Sequence, residues 1–151
     1  MEIKIETASL RVLDKLYEIE AQCFDQEAFT KRQIAYLLAD YNTIGLVAKV
    51  NGDIAGFIIS QVEIEDDTTY GHIITVNVAP AYRRKGIASK MLEETEAILK
   101  EKGITECRLE VREDNLAALR LYQNSGYQKI GRLEKYYFNK RGLYLKKNFK
   151  V

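Results

Sequence analysis

A single histidine and two cysteines leave this 151-residue chain without the clustered ligands of a zinc site. Cys23 and Cys107 lie far apart and form no CxxC pair, so they read as free, buried thiols. Proline is nearly missing as well: Pro80 stands alone, no Ser/Gly-rich tract accompanies it, and no linker or internal repeat is evident. Residues 1–151 are therefore expected to form one domain. The N-terminal stretch has no basic start followed by an apolar run, and nothing approaches the roughly 18 apolar residues that cross a bilayer. A reducing cytoplasmic compartment and no membrane partner are expected. Nor is there an excess of charge of one sign. Lys plus Arg (23) balance Asp plus Glu (22) to give +1, which excludes whole-protein attraction to nucleic acid or membranes and makes any charge effect local.

What is present is an ordinary globular composition, 46% hydrophobic and 30% charged, with room for a real core. "IKIE" alternates as a first strand, and "LRVLDKLYEIEAQCF" spaces its apolar residues at helical intervals. "AFTKRQIAYLLAD" predicts a second helix. "NTIGLVAKV", the turn "NGD" and "IAGFIISQVEI" predict a hairpin, because Asn-Gly supplies the positive φ of a tight connection. An acidic "EIEDD" loop and the strand "YGHIITVNVA" follow. A helix from about Gly86 to Gly103 joins this strand to "ITECRLEVR", which implies a right-handed βαβ crossover with parallel pairing. A helix "NLAALRLYQNSG", capped by Asp114 or Asn115 and stopped by Gly126, precedes the strands "YQKIGRLEKYYF" and "GLYLKKNF". The expected architecture is α/β, of the α+β kind, with a mixed central sheet of about seven strands and four helices.

The most informative stretch is "YRRKGIASKML", residues 82–92. The first turn of a helix leaves its N–H groups without intrahelical partners and carries partial positive charge, which suits phosphate oxygens. Gly86 lets an anion approach the backbone, Ala88 keeps the next turn low, and Arg83, Arg84 and Lys85 add formal charge at the same mouth. The chemistry indicated is a pyrophosphate cradle. Neither G-x-x-x-x-G-K-[ST] nor G-x-G-x-x-G occurs, which removes the usual nucleotide phosphate loops. A solvated basic turn ahead of a helix is the competing reading on charge alone.

"VAPAYRRKGIASKML" resembles the acyl-CoA motif of the GNAT N-acetyltransferases, Arg/Gln-x-x-Gly-x-Gly/Ala, matched here by Arg83, Gly86 and Ala88. "LEVREDNLAALRLYQNSGY" resembles the second half of that signature, and the likeness, spanning nearly the whole chain, is to the RimI-like and archaeal branch that acetylates protein N-termini. The resemblance implies the GNAT fold, with splayed parallel strands 4 and 5 forming the acyl-CoA cleft. It implies acetyl-CoA as the cofactor, held by a bulged strand at Val76, Asn77 and Val78, by the backbone of Arg83, Arg84, Lys85, Gly86, Ile87, Ala88 and Ser89, and by Asn115. It further implies Glu110 as the base and Tyr122 as the acid at the departing thiolate. His72, in "GHIITV", resembles the Gly-His of the branch and is expected beside the acceptor as an auxiliary base, with Tyr136 and Tyr137 at the peptide entrance. The acceptor implied is a protein or peptide N-terminus; no nucleic acid and no metal is expected, and the resemblance leaves monomer and homodimer open.

On pattern alone the same residues have plainer readings. Glu110 alternates with Arg108 and Arg112 on the polar side of a strand, and Tyr122 shares an apolar helical stripe with Ala118 and Leu121. The chain departs from its branch after the tyrosine pair. No acidic turn follows, and from Phe138 to Val151 there are five Lys/Arg and no Asp or Glu. The expectation is a basic rim that favours acidic or neutral peptide ends. Acetylation of Lys side chains or small amines, and a non-catalytic acyl-CoA-binding module, are the alternatives.

Overall fold

The computed structural model of the chain describes residues 1–137 and 140–149. Among these, seven strands form one sheet: β1 (Ile3–Thr7), β2 (Thr43–Val50), β3 (Asp53–Glu65), β4 (Thr68–Val78), β5 (Glu106–Arg112), β6 (Gln128–Tyr137) and β7 (Lys140–Asn148). Four helices accompany them: α1 (Leu13–Cys23), α2 (Lys31–Ala39), α3 (Ile87–Glu101) and α4 (Leu116–Asn124). The sheet order is β1-β2-β3-β4-β5-β7-β6, as expected of a mixed sheet.

Local chemistry fixes the turns. Asn51 and Gly52 take φ of +53° and +86°, the left-handed pair that closes a two-residue hairpin between β2 and β3. The acidic loop expected after β3 is shorter than it reads. Strand β3 continues through Glu65, and Asp66 and Asp67, both at positive φ, make the whole connection, since Asp tolerates the left-handed region better than most residues. Thr30 opens α2 with a reciprocal cap, its hydroxyl accepting from the Gln33 amide at 3.1 Å while the Gln33 side chain accepts from the Thr30 amide at 2.8 Å. Helix α3 stops at Gly103, whose φ is +79°. Asn115 rather than Asp114 caps α4, its Oδ1 accepting from the Ala118 amide at 3.2 Å.

The sheet divides two cores. Leu16 and Ile19 of α1 and Ile34 of α2 pack with Val47, Phe57 and Ile59 on one face. Ile87, Met91, Leu92 and Leu99 of α3 pack with Ile58, Ile73 and Leu109 on the other, where Tyr122 of α4 joins them. Strands β4 and β5 pair in parallel over only three positions, Gly71↔Cys107 to Ile73↔Leu109. Beyond these the two strands part, and a cleft lined by Val76, Glu110 and Tyr122 lies in the gap.

Candidate functional site

The parting begins at a bulge. Thr75 pairs with Ile59 and Ile73 with Ser60, so Ile74 is an extra residue on β4. The bulge was expected within residues 75–78 and lies one position earlier. Its effect on side chains is to switch faces: Ile73 packs into the α3 core, Ile74 into the α1–α2 core, and Thr75 follows it toward α1. Its effect on the backbone is equally direct. The Ala79 amide donates to the Ala55 carbonyl at 2.8 Å, so alternation along an antiparallel strand turns the amides and carbonyls of Val76 and Val78 away from β3, toward the side β5 has left. Val78 does not keep its carbonyl free, because Arg83 Nε donates to it at 3.1 Å and the Cys23 thiol at 3.4 Å. The Asn77 side chain, 2% exposed, faces inward and donates to Glu20 at 3.1 Å and Thr75 at 2.9 Å, so its expected place against a cofactor reduces to its backbone.

At the entrance of α3, Arg84 and Gly86 both adopt positive φ, +64° and +77°. No side chain caps the helix, and the first intrahelical amide is that of Lys90, donating to the Gly86 carbonyl at 3.1 Å. A Cβ on Gly86 would meet nothing within 4 Å, so the space above the turn is open. Arg84, Lys85 and Ser89 are exposed, Ala88 is half-buried, and Ile87 is a core residue that contributes only backbone to this surface. Alternating left-handed residues ahead of uncapped helix amides form a concavity for an anion.

Farther along the cleft stands a different arrangement. Glu110 on β5 and Glu63 on β3 flank His72 on β4. The imidazole approaches the two Glu110 oxygens through Nε2 at 2.7 and 2.8 Å and Glu63 Oε2 through Nδ1 at 2.8 Å. Burial lowers the affinity of the ring for a proton, but the hydrogen bonds and charge of Glu110 and then of Glu63 outweigh it and raise the pKa to about 9. His72 is therefore an imidazolium at neutral pH, donating from both nitrogens. In that state both ring nitrogens carry hydrogen and neither offers a free lone pair. Tyr70 closes the chain by donating to Glu63 Oε1 at 3.1 Å.

Tyr122 lines the same cleft from α4, 7% exposed and edge-on to Tyr127 with ring centroids 5.7 Å apart. Burial drives its pKa well above the ordinary phenol value, so it keeps its proton. Asn115 also lines the cleft, with its Oδ1 committed to the α4 cap. Tyr136 reaches the cleft from β6 across Gly142, where a Cβ would lie 2.6 Å from the tyrosine ring. The side chain of Tyr137 lies outside the described residues.

Sequence reasoning missed the wall opposite Glu110. Glu27, in the segment between α1 and α2, accepts from Arg112 Nη1 at 2.9 Å on each oxygen, and the same guanidinium forks onto Asp114 at 2.9 and 2.8 Å. Glu20, 1% exposed, accepts from Thr75, Asn77 and the Phe29 amide, and burial raises its pKa. No local motif marks Glu20, Glu27 or Glu63, because each acquires its role from partners distant in sequence. Four cations of the expected basic rim stand near carboxylates. Lys140 lies 3.9 Å from Asp114, Arg141 3.6 Å from Glu134, Lys146 3.5 Å from Glu106 and Lys147 2.7 Å from Glu96. The cleft itself carries Glu20, Glu27 and Glu110 against one guanidinium.

A sheet split behind a strand bulge, with an uncapped helix entrance at one end and an oriented carboxylate in the gap, defines an acyl-group transferase of the N-acetyltransferase fold. The chain belongs to the acetyltransferase (GNAT) family, whose sequence profile matches residues 13–127. It is 31% identical to an N-alpha-acetyltransferase of Saccharolobus solfataricus over 72% of this chain and 70% of that one. To an N-alpha-acetyltransferase of Sulfurisphaera tokodaii it is 28% identical, over 95% and 91%. The crystal structure of Ard1 from Thermoplasma volcanium superposes with a TM-score of 0.89 at 25% identity, covering all of both chains.

Proposed function

We propose that the chain transfers the acetyl group of acetyl-CoA to the N-terminal α-amine of a protein or peptide. The observation that carries this reading is the Glu110 carboxylate, hydrogen-bonded by His72 and lining, with Tyr122, the cleft between the parted strands. Relatives bearing the name N-alpha-acetyltransferase support the choice of acceptor.

The donor fits the residues present. The open turn at Gly86, the amides from Arg84 to Ser89 and the exposed Arg84 and Lys85 side chains would hold a diphosphate, while the Val76 backbone groups, turned toward the cleft, would hold an amide-bearing arm. When bound, acetyl-CoA supplies the acetyl group as an activated thioester. The protein's part is proton handling and exclusion of water. An α-ammonium has a pKa of about 7.7–8.0, so removing its proton asks only for a modest base, and Glu110 takes it either directly or across one water. Tyr122 holds its proton on Oη, in place to neutralise negative charge that develops in the cleft. Glu20, Glu27 and Glu110 outnumber the Arg112 guanidinium in the cleft lining, an excess of carboxylate that attracts a cationic chain end. The same field disfavours Lys side chains, whose ammonium, with a pKa of about 10.4, would be held still more firmly in its protonated form.

Coenzyme A release measured with peptides that differ only in a free or blocked N-terminus, each carrying one internal lysine, tests the reading. Release confined to the free α-amine is expected. Release from the blocked peptides selects lysine acetylation instead, and none from any amine despite acetyl-CoA binding selects a non-catalytic module.

A further inference from the structure

We propose that Glu63 is a positioning residue of the transfer site, holding the His72 ring by Nδ1 so that Nε2–H is aimed at both oxygens of Glu110. The proposal deepens the acetyltransferase reading, since it gives Glu110 its orientation.

The geometry has three parts. A glutamate has three side-chain torsions, and Glu110 stands where β5 loses β4 as a neighbour, just past the last parallel pair at Ile73↔Leu109. Nothing in the ladder on that side fixes its carboxylate. His72 does, at 2.7 and 2.8 Å, but an imidazole ring can rotate and present either nitrogen. Glu63 removes that freedom by engaging Nδ1 at 2.8 Å, and is itself fixed by the Tyr70 hydroxyl at 3.1 Å. Burial and then Glu63 raise the Tyr70 pKa to about 12, so the phenol remains a donor through the working range. The arrangement thus runs from the part of the sheet where β3, β4 and β5 pair outward to the cleft. It is no metal site: among the described residues no group of three His, Cys, Asp or Glu side chains is disposed to hold one.

The surrounding charges do not displace these contacts. Arg108, the β5 partner of His72 in register, is engaged by Glu106 at 2.8 Å and Glu65 at 3.1 Å and lies over the Tyr70 ring. Tyr144 on β7 pairs with Glu110 in register, and Tyr136 on β6 has a pKa raised by burial and then by Glu110, so the Tyr136 phenol keeps its proton. Across the cleft, Glu27 is occupied by Arg112. Among the described residues, Glu63 and Glu110 are the two groups in hydrogen-bond contact with the ring.

Because His72 is the only histidine in the chain, its NMR titration needs no assignment. The ring is expected to carry its proton up to about pH 9, and turnover to fall as pH rises through that value, because a neutral ring keeps one N–H and can no longer donate to Glu63 and Glu110 together. Glu63→Gln should bring the midpoint down by about 1–3 pH units. The alkaline limb of kcat should move with it, leaving the acetyl-CoA Kd within about twofold. Glu65→Gln, which removes a nearby carboxylate that does not touch the ring, should move the midpoint far less. If Glu63→Gln does not fold, Glu63→Asp keeps the charge, withdraws the contact and should give an intermediate midpoint. Equal midpoints in wild type and variant overturn the proposal, as does a lowered midpoint with an unmoved kcat profile. The titration is read without substrate, so expected midpoints in a protein that transfers no acetyl group overturn the functional reading and leave the Glu63–His72 contact standing.

Discussion

The α3 entrance and the Glu110 end of the cleft are built on opposite principles. At the α3 entrance the groups on offer are backbone amides, set by the φ angles of Arg84 and Gly86, with exposed basic side chains around them. At the Glu110 end the groups are side chains, drawn from β3, β4 and β5 and hydrogen-bonded to one another. A diphosphate presents the same charge and shape whatever is attached to it, and a short contiguous turn suffices to meet it. Proton transfer needs a particular atom at a particular angle, and that takes several strands.

Replacing Glu110 should expose this contrast most sharply. Glu110→Gln keeps the volume and one oxygen but removes the base, and kcat should fall by about 10²- to 10⁴-fold. The acetyl-CoA Kd, measured calorimetrically, should stay within about twofold, because the α3 entrance does not sense the charge. Unchanged turnover would remove Glu110 as the base and dissolve the division of labour between the two ends.

Gly86→Val attacks the other end. At φ +77° a β-branched residue costs about 1–2 kcal/mol, enough to weaken acetyl-CoA binding about 5- to 30-fold if the turn relaxes and its amides swing away. With acetyl-CoA saturating, kcat should be that of the wild type. A lowered kcat at saturation would mean that the two ends are coupled, and undisturbed affinity with an unchanged melting temperature would mean that the turn is not the anion site.

What could be read from the sequence follows the same division. The proposed anion turn at Arg83, Gly86 and Ala88 is legible because it lies within a few consecutive residues, and Asn51-Gly52 and Gly103 announce a hairpin and a helix end for the same reason. The seven strands and four helices were legible from periodicity. Glu63 was not, since it is one of several acidic residues on an alternating strand until the β3–β4 register places it beside His72. His72 itself was seen, but its charge state was not, because that depends on two carboxylates from other strands. Ile74 shows the limit on the backbone: a bulge is a mismatch between two strands and leaves no mark within one of them.

The basic C-terminal run supplies the smallest test, and it concerns how far sequence charge can be trusted. Four of its cations face carboxylates, and only their sum, read without partners, looks like an anion-attracting rim. Arg141 lies 3.6 Å from Glu134, with both side chains largely exposed, so the pair contributes little to stability and leaves little field for a peptide to feel. Arg141→Ala should therefore change KM for peptides with an acidic or a neutral second residue by less than about twofold, and equally for both. A selective loss for the acidic peptide would restore the rim as a determinant of the acceptor. An equal response leaves that choice to the carboxylate-lined interior of the cleft.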